Sequence, residues 1–249
     1  MDGHHKLIKW GFVTHGCIDG FTRFITYLKC STNNKSKTVL QLFQQAIEVN
    51  NVPSRVRGDR GGENVLVADK MIELRGVGRN SYLGGPSKFN TRIERLWKDV
   101  MRNVIVLFRD RFVRYEEEGL DMEDPVHMFA LHHMFLPLIN QYLDQFVLMW
   151  NNHKLSTENH CTPIQLRILH AHQTPPPAQV EDIYGLEEDA EAEGDEIAVN
   201  VPQYDYHFDE VQLEEINHQC PALHMIIPVN MYDEHYFNCL HVLTEILNR

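Results

Sequence analysis

Paired cysteine is the first thing this chain lacks. Cys17, Cys30, Cys161, Cys220 and Cys239 are odd in number and widely spaced, with no C-x-x-C pair. That spacing argues against a thiolate zinc site or a redox disulfide and predicts reduced thiols, mostly in the core. Long apolar runs are also missing: none approaches the roughly 18 residues of a membrane span. No basic stretch followed by an apolar one opens the sequence. A soluble protein of the nucleus or cytoplasm, without a membrane partner, is expected. Positive charge is scarce at one end only. Residues 179–249 hold one Arg against 17 acids, whereas residues 1–115 hold 20 Lys and Arg against 10 Asp and Glu. The overall charge of −12 therefore conceals a basic N-terminal part suited to a polyanion and an acidic C-terminal part that is not.

With 249 residues and 43% apolar content the chain can bury one substantial core with an appendage. "FVTHGCIDGFTRFITYL" (12–28) is two apolar runs joined at Asp19-Gly20, which signals a β-hairpin. "KTVLQLFQQAIEVN" (37–50) sets Val39, Leu42, Phe43, Ala46 and Ile47 at helical spacing, closed by Pro53. A short strand from Ser54 to Arg57 then runs into a glycine turn. Residues 75–89 carry four glycines and a proline without periodicity and are expected to form a mobile loop. Asn90 is placed to cap a helix over 91–108, where Ile93, Trp97, Val100, Val104 and Leu107 form an apolar stripe with Glu94 off it. A second apolar helical region (126–150) is expected to be kinked or divided at Pro137. After a turn and a short helix come a polyproline spacer (172–179) and the acidic "LEEDAEAEGDE" (186–196). The expected organisation is a core over 1–175, a Pro-rich and acidic linker over 176–199, and a small structured annex over 200–249.

This order, hairpin, helix, strand ending in an acid, loop, and helix carrying another acid, is an α/β arrangement in which distant carboxylates can meet at one sheet edge. Phosphodiester chemistry uses such acids to hold two divalent cations about 3.5–4 Å apart. Hard ions such as Mg²⁺ favour carboxylate oxygen.

Four motifs make the reading specific. "DGHHKLI" (2–8), "IDGFTR" (18–23), "SRVRGDRGGEN" (54–64) and "NTRIERLW" (90–97) occur in this order. The chain resembles the integrase core domain of retroviruses and retrotransposons, and in particular a branch of integrase-core proteins found as element-derived genes in eukaryotes. The resemblance spans residues 1 to about 170. It implies a ribonuclease H-like fold, with a mixed sheet flanked by helices. It also implies cleavage and joining of DNA strands with Mg²⁺ or Mn²⁺, two ions per site, and DNA and further copies of the chain as partners. In that family an Asp, an Asp and a Glu bind the metals, which corresponds here to Asp2, Asp59 and Glu94. Asp19 is the competing first acid, but a hairpin-tip Asp serves backbone geometry and points away from the sheet centre. The chain begins one residue before Asp2, so the upstream half of the first strand is expected to be missing and activity to be weak as written.

Lys98 lies one helical turn beyond Glu94 and, with Arg92 and Arg95, is placed to touch phosphate, although each also reads as a solvated cation. Glu63 and Asn64 read as turn or supporting residues. His4, His5, His132 and His133 lack the spacing and cysteine partners of a zinc site. Three classes stay open: an active polynucleotidyl transferase, a non-catalytic descendant that binds DNA or protein, and a nuclease acting on RNA hybrids.

Overall fold

The computed structural model describes residues 1–85, 90–171, 199–204 and 208–248. The polyproline and acidic segments lie outside them. The protein is a mixed α/β molecule with two small sheets and helices packed against them.

The first sheet is antiparallel, in the order β1 (Asp2–His4), β2 (Val13–Ile18), β3 (Ile25–Ser31). The β2–β3 hairpin forms where Asp-Gly predicts it. The Asp19 carboxylate accepts the backbone N–H of Phe21 at 3.2 Å and of Thr22 at 3.3 Å. It is a turn residue by its contacts. In the second sheet β4 (Val56–Gly58) runs parallel to β5 (Tyr82–Gly84). The two sheets meet at Met1, whose amine donates to the carbonyl of Arg57 over 2.7 Å.

The outer edge of β3 is covered by side chains rather than by another strand. Asn140 accepts from the Cys30 N–H (2.9 Å) and donates to its carbonyl (3.1 Å), and Asn151 does the same for Ile25 at 2.9 and 3.1 Å. Both asparagines lie on the long helix α5 (Pro125–Asn152). The geometry matches: 11 helical residues rise about 16.5 Å, and five strand residues span about the same. A β-bulge at Thr26 switches the parity of β3, because Cys17 pairs with Tyr27 but Ile18 with Ile25. Ile25 and Cys30 therefore both turn their backbone groups outwards, and the edge is closed to further pairing.

The helix expected over 37–50 is α1 (Ser36–Asn50), which buries Val39, Phe43 and Ala46. Three expectations need correction. The irregular loop over 75–89 contains strand β5, and it follows a helix, α2 (Val65–Arg75), whose apolar residues lack clear periodicity. The backbone there is drawn into order by parallel pairing with β4, a long-range contact that local composition does not encode. Asn90 does not cap the next helix with its side chain; its amide donates instead to the Met1 carbonyl at 2.7 Å. Of the two outcomes expected at Pro137, division does not occur: α5 is one helix that runs past the proline, with Met134, Phe135, Leu138 and Ile139 buried on either side of it.

The helix beginning at α3 (Thr91–Val100) continues through a π turn (Met101–Ile105) into α4 (Val106–Glu117). A short α6 (Pro163–His170) is closed at its start by a Thr162–Gln165 capping box. Beyond the linker, α7 (Glu210–Gln219) and α8 (Tyr232–Leu247) return to the main core. Ile216, Tyr232, Tyr236 and Leu243 belong to the same buried cluster as Phe108, Phe112, Tyr115 and Phe135. Arg111 and Tyr115 of α4 both bond Asp233 of α8. A second, smaller cluster of Met1, Val39, Phe43, Val56, Val67 and Met71 lies beneath β4. No helix among the described residues is long and apolar enough to cross a membrane.

Candidate nucleic-acid and metal site

Three segments of the chain meet at Met1. Its amine bonds the carbonyl of Arg57, two residues before Asp59, and its carbonyl receives the amide of Asn90, four residues before Glu94. Asp2 follows directly on β1. The sequence-predicted acids thus lie on the first strand, just past β4 and in the first turn of α3, on segments that Met1 links through Arg57 and Asn90.

Asp2 is largely withdrawn from water. Burial raises its pKa from the usual carboxylate range to about 6; the Trp97 hydrogen bond opposes this, and the negative charges of Asp59 and Glu94 add to it. Asp59 is oriented by the turn that follows it. Its Oδ1 accepts from the Gly61 N–H at 3.2 Å and from the Asn64 side chain at 2.5 Å, and its own carbonyl accepts from the Tyr82 phenol at 3.0 Å. Asn64, 3% exposed, is the supporting residue the sequence suggested. Glu94 is exposed on α3, on the flank of the buried face formed by Ile93, Leu96 and Trp97 and one turn before Trp97. Asp19 is not among the groups that act on Asp2.

Histidines line the same region. His4 Nδ1 and His5 Nε2 are buried and find no hydrogen-bond partner among the described residues. Burial lowers the pKa of both; for His5 the nearby Asp59 charge pulls the other way. His132 and His133 are elsewhere, bonded to the carbonyls of Trp10 (2.8 Å) and Cys220 (2.7 Å). The cations of α3 face solvent. Arg92 and Lys98 form no ion pair with a described residue, while Arg95 pairs loosely with Asp99 at 3.8 Å.

In donor chemistry the three carboxylates suit a hard divalent cation, and their mutual repulsion at a withdrawn position is what a cation would relieve. Among the described residues, no three His, Cys, Asp or Glu side chains are gathered at ligand spacing. Two contributors escape sequence reading. Trp97 appears in the sequence only as part of an apolar stripe, although a buried indole N–H needs a partner. Tyr82 lies in a stretch that reads as irregular.

The profile of the Integrase core domain family matches residues 1–174. The chain belongs to that family. No curated protein matches it in sequence. Among solved structures it is similar to the HTLV-2 integrase catalytic core domain in complex with magnesium (trimeric form). That likeness has a TM-score of 0.38 and 12% identity, over 62% of this chain and 84% of the other.

Proposed function

We propose that this integrase-core chain is a polynucleotidyl transferase of transposable-element origin, cutting and joining DNA strands. The observation that carries the reading is the double tether of Met1 to Arg57 and Asn90, which draws the segments bearing Asp2, Asp59 and Glu94 to one sheet edge. The antiparallel β1-β2-β3 order, with the parallel β4–β5 pair tied to its start through Met1 and Arg57, supports a ribonuclease H-like arrangement. Asp2, Asp59 and Glu94 would hold Mg²⁺ or Mn²⁺; when bound, such ions activate the attacking oxygen and stabilise the leaving one. The chain's own residues orient the reactants. Gly61 and Asn64 fix the rotamer of Asp59, while Arg92, Arg95 and Lys98 offer the exposed face of α3 to the phosphates flanking the scissile bond.

A strand-transfer assay on a labelled duplex, with Mg²⁺ and with Mn²⁺, tests this. Asp59→Asn and Glu94→Gln should each abolish turnover and leave DNA binding nearly unchanged. Turnover that survives Glu94→Gln would overturn the mechanism. The alternative, a non-catalytic DNA- or protein-binding descendant, draws support from the open spacing of the acids. It predicts DNA binding without metal-dependent turnover in any variant.

A further inference from the structure

Trp97 lies on α3 three residues beyond Glu94 and is 5% exposed. Its indole Nε1 donates to Oδ2 of Asp2 over 2.8 Å. Space for the ring comes from a missing side chain on the neighbouring strand. Gly16 is the register partner of Asp2, and directly opposed residues of an antiparallel pair project to the same face. A Cβ at Gly16 would lie 2.7 Å from Trp97 Cη2 and 3.2 Å from Cζ2. His4, two residues from Asp2 and so on that face too, meets the indole at a centroid distance of 5.0 Å.

We infer that Trp97 is a positioning residue for Asp2: it fixes Oδ2 through the indole hydrogen bond, in a slot opened by Gly16, and leaves Oδ1 available to a divalent cation. This rests on the metal-site reading above. An indole suits the task because it donates one hydrogen bond, carries no charge and does not titrate. Lysine or arginine at this place would neutralise the carboxylate that the cation needs, or capture a phosphate. Because one turn of α3 carries both Glu94 and the group that holds Asp2, the first and third acids are set as one rigid unit.

The test uses the full chain and needs no turnover. The three tryptophans, Trp10, Trp97 and Trp150, give three indole N–H signals in a ¹H–¹⁵N spectrum. The Trp97 signal is assigned from its loss in Trp97→Phe. Titration of the wild type with Mg²⁺ should move that signal and leave the other two in place. Trp97→Phe keeps an aromatic side chain but drops the donor and part of the indole volume, and should weaken Mg²⁺ binding by about tenfold or more, as for other outer hydrogen bonds to a metal ligand. Gly16→Ala displaces the ring without deleting any polar group and should weaken binding in the same direction. Asp59→Asn runs alongside as a control. An unmoved Trp97 signal, or wild-type Mg²⁺ affinity in Trp97→Phe, with affinity lost in Asp59→Asn, overturns the positioning role alone. Wild-type affinity in Asp59→Asn overturns the metal site and this role with it.

Discussion

Tyr82 reaches across Gly58 to bond the main chain of Asp59: its phenol donates to the Asp59 carbonyl at 3.0 Å, and a Cβ added to Gly58 would lie 2.4 Å from that phenol oxygen. The glycine makes room for this close approach: a Cβ there would force the phenol off the Asp59 carbonyl. Gly58→Ala should therefore destabilise the fold by about 1–3 kcal/mol through overpacking. Tyr82→Phe should cost about 1 kcal/mol for one hydrogen bond. The two losses should be less than additive, because deleting the hydroxyl makes the room the methyl group needs. Urea denaturation of both single variants and the double variant measures the coupling; strict additivity would mean that the two groups do not compete for this space.

The raised pKa of Asp2 predicts an unusual pH response. The folded state holds this proton up to about pH 6, against 3.8 for an ordinary Asp. Between those values the native state binds more protons than the unfolded state, so the contribution of Asp2 to stability falls as pH rises. His4, His15 and His132, each lowered by burial to about 4, act in the opposite sense: they favour the fold above about pH 6.5 and lose that contribution as pH falls towards 4. The wild-type profile mixes both, and Asp2→Asn isolates one. That variant should match wild type near pH 4 and exceed it by about 1–3 kcal/mol at pH 7.5. The Asn oxygen still accepts from Trp97, so the gain reflects the charge. A difference independent of pH would place the Asp2 carboxyl in ordinary solvent.

The asparagine clasp on β3 carries a prediction about the scaffold. Asn151 is 6% exposed and satisfies both backbone groups of Ile25. Replacement by leucine of similar size leaves a buried N–H and C=O without partners, at about 1–3 kcal/mol for each group. Asn140→Leu should do the same at Cys30, more mildly, because that site is less buried. Amide exchange at Ile25 and Cys30 is the local readout. Full protection in the variants would show that packing alone seals this edge.

The local chain announced part of this architecture. Asp19-Gly20, the spacing of Val39, Phe43 and Ala46, and the glycine turn after Val56 are local signals, and hairpin, helix and strand stand where they point. The three candidate acids are read from motif positions, because each sits in a short run of distinctive residues. Their supports were not. Trp97 bonds a residue 95 positions away and needs Gly16 on a third segment; Tyr82 bonds one 23 positions away. Such contacts depend on register between elements, which apolar periodicity leaves open. The polar clasp of Asn140 and Asn151 was hidden for the same reason, inside a helix that reads as strongly apolar.

Charge along the chain bears on DNA binding. Affinity should fall steeply with salt as neutralised phosphates release counterions, and Arg92→Ala or Lys98→Ala should each flatten the log–log salt slope by about one. Arg95→Ala should matter less, since Asp99 already offsets part of its charge. The acids of 186–196 should repel the same phosphates or compete for the same cations, so changing Glu187, Glu188, Glu191, Glu193 and Glu196 to Gln should tighten binding at low salt. Fluorescence anisotropy with a labelled duplex from 50 to about 300 mM salt is the measurement. Equal affinity of the neutralised and wild-type chains at the lowest salt would remove the acidic segment from any part in binding.

Cutting the chain at residue 175 should do something different from neutralising its acids. Tyr236 of α8 stacks on Tyr115 with ring centroids 4.6 Å apart and planes 6° from parallel, and Phe135, Ile216 and Leu243 close around them without solvent exposure. Removing α7 and α8 opens this core to water, and the same deletion strips Arg111, 9% exposed, of its partners Asp233 and the Val229 carbonyl. Arg111 becomes solvated once its partners are gone, but aromatic surface exposed on this scale exceeds what a domain with marginal stability can absorb. Residues 1–175 alone should therefore aggregate or bind a hydrophobic dye strongly, with no cooperative melting transition. Asp233→Asn in the full chain is the milder probe. It keeps the shape and weakens only the charge pairing, at a cost of about 2 kcal/mol given that Asp233 itself is part-exposed. A soluble 1–175 fragment that melts cooperatively near the wild-type temperature would mean that α7 and α8 decorate an independently stable core.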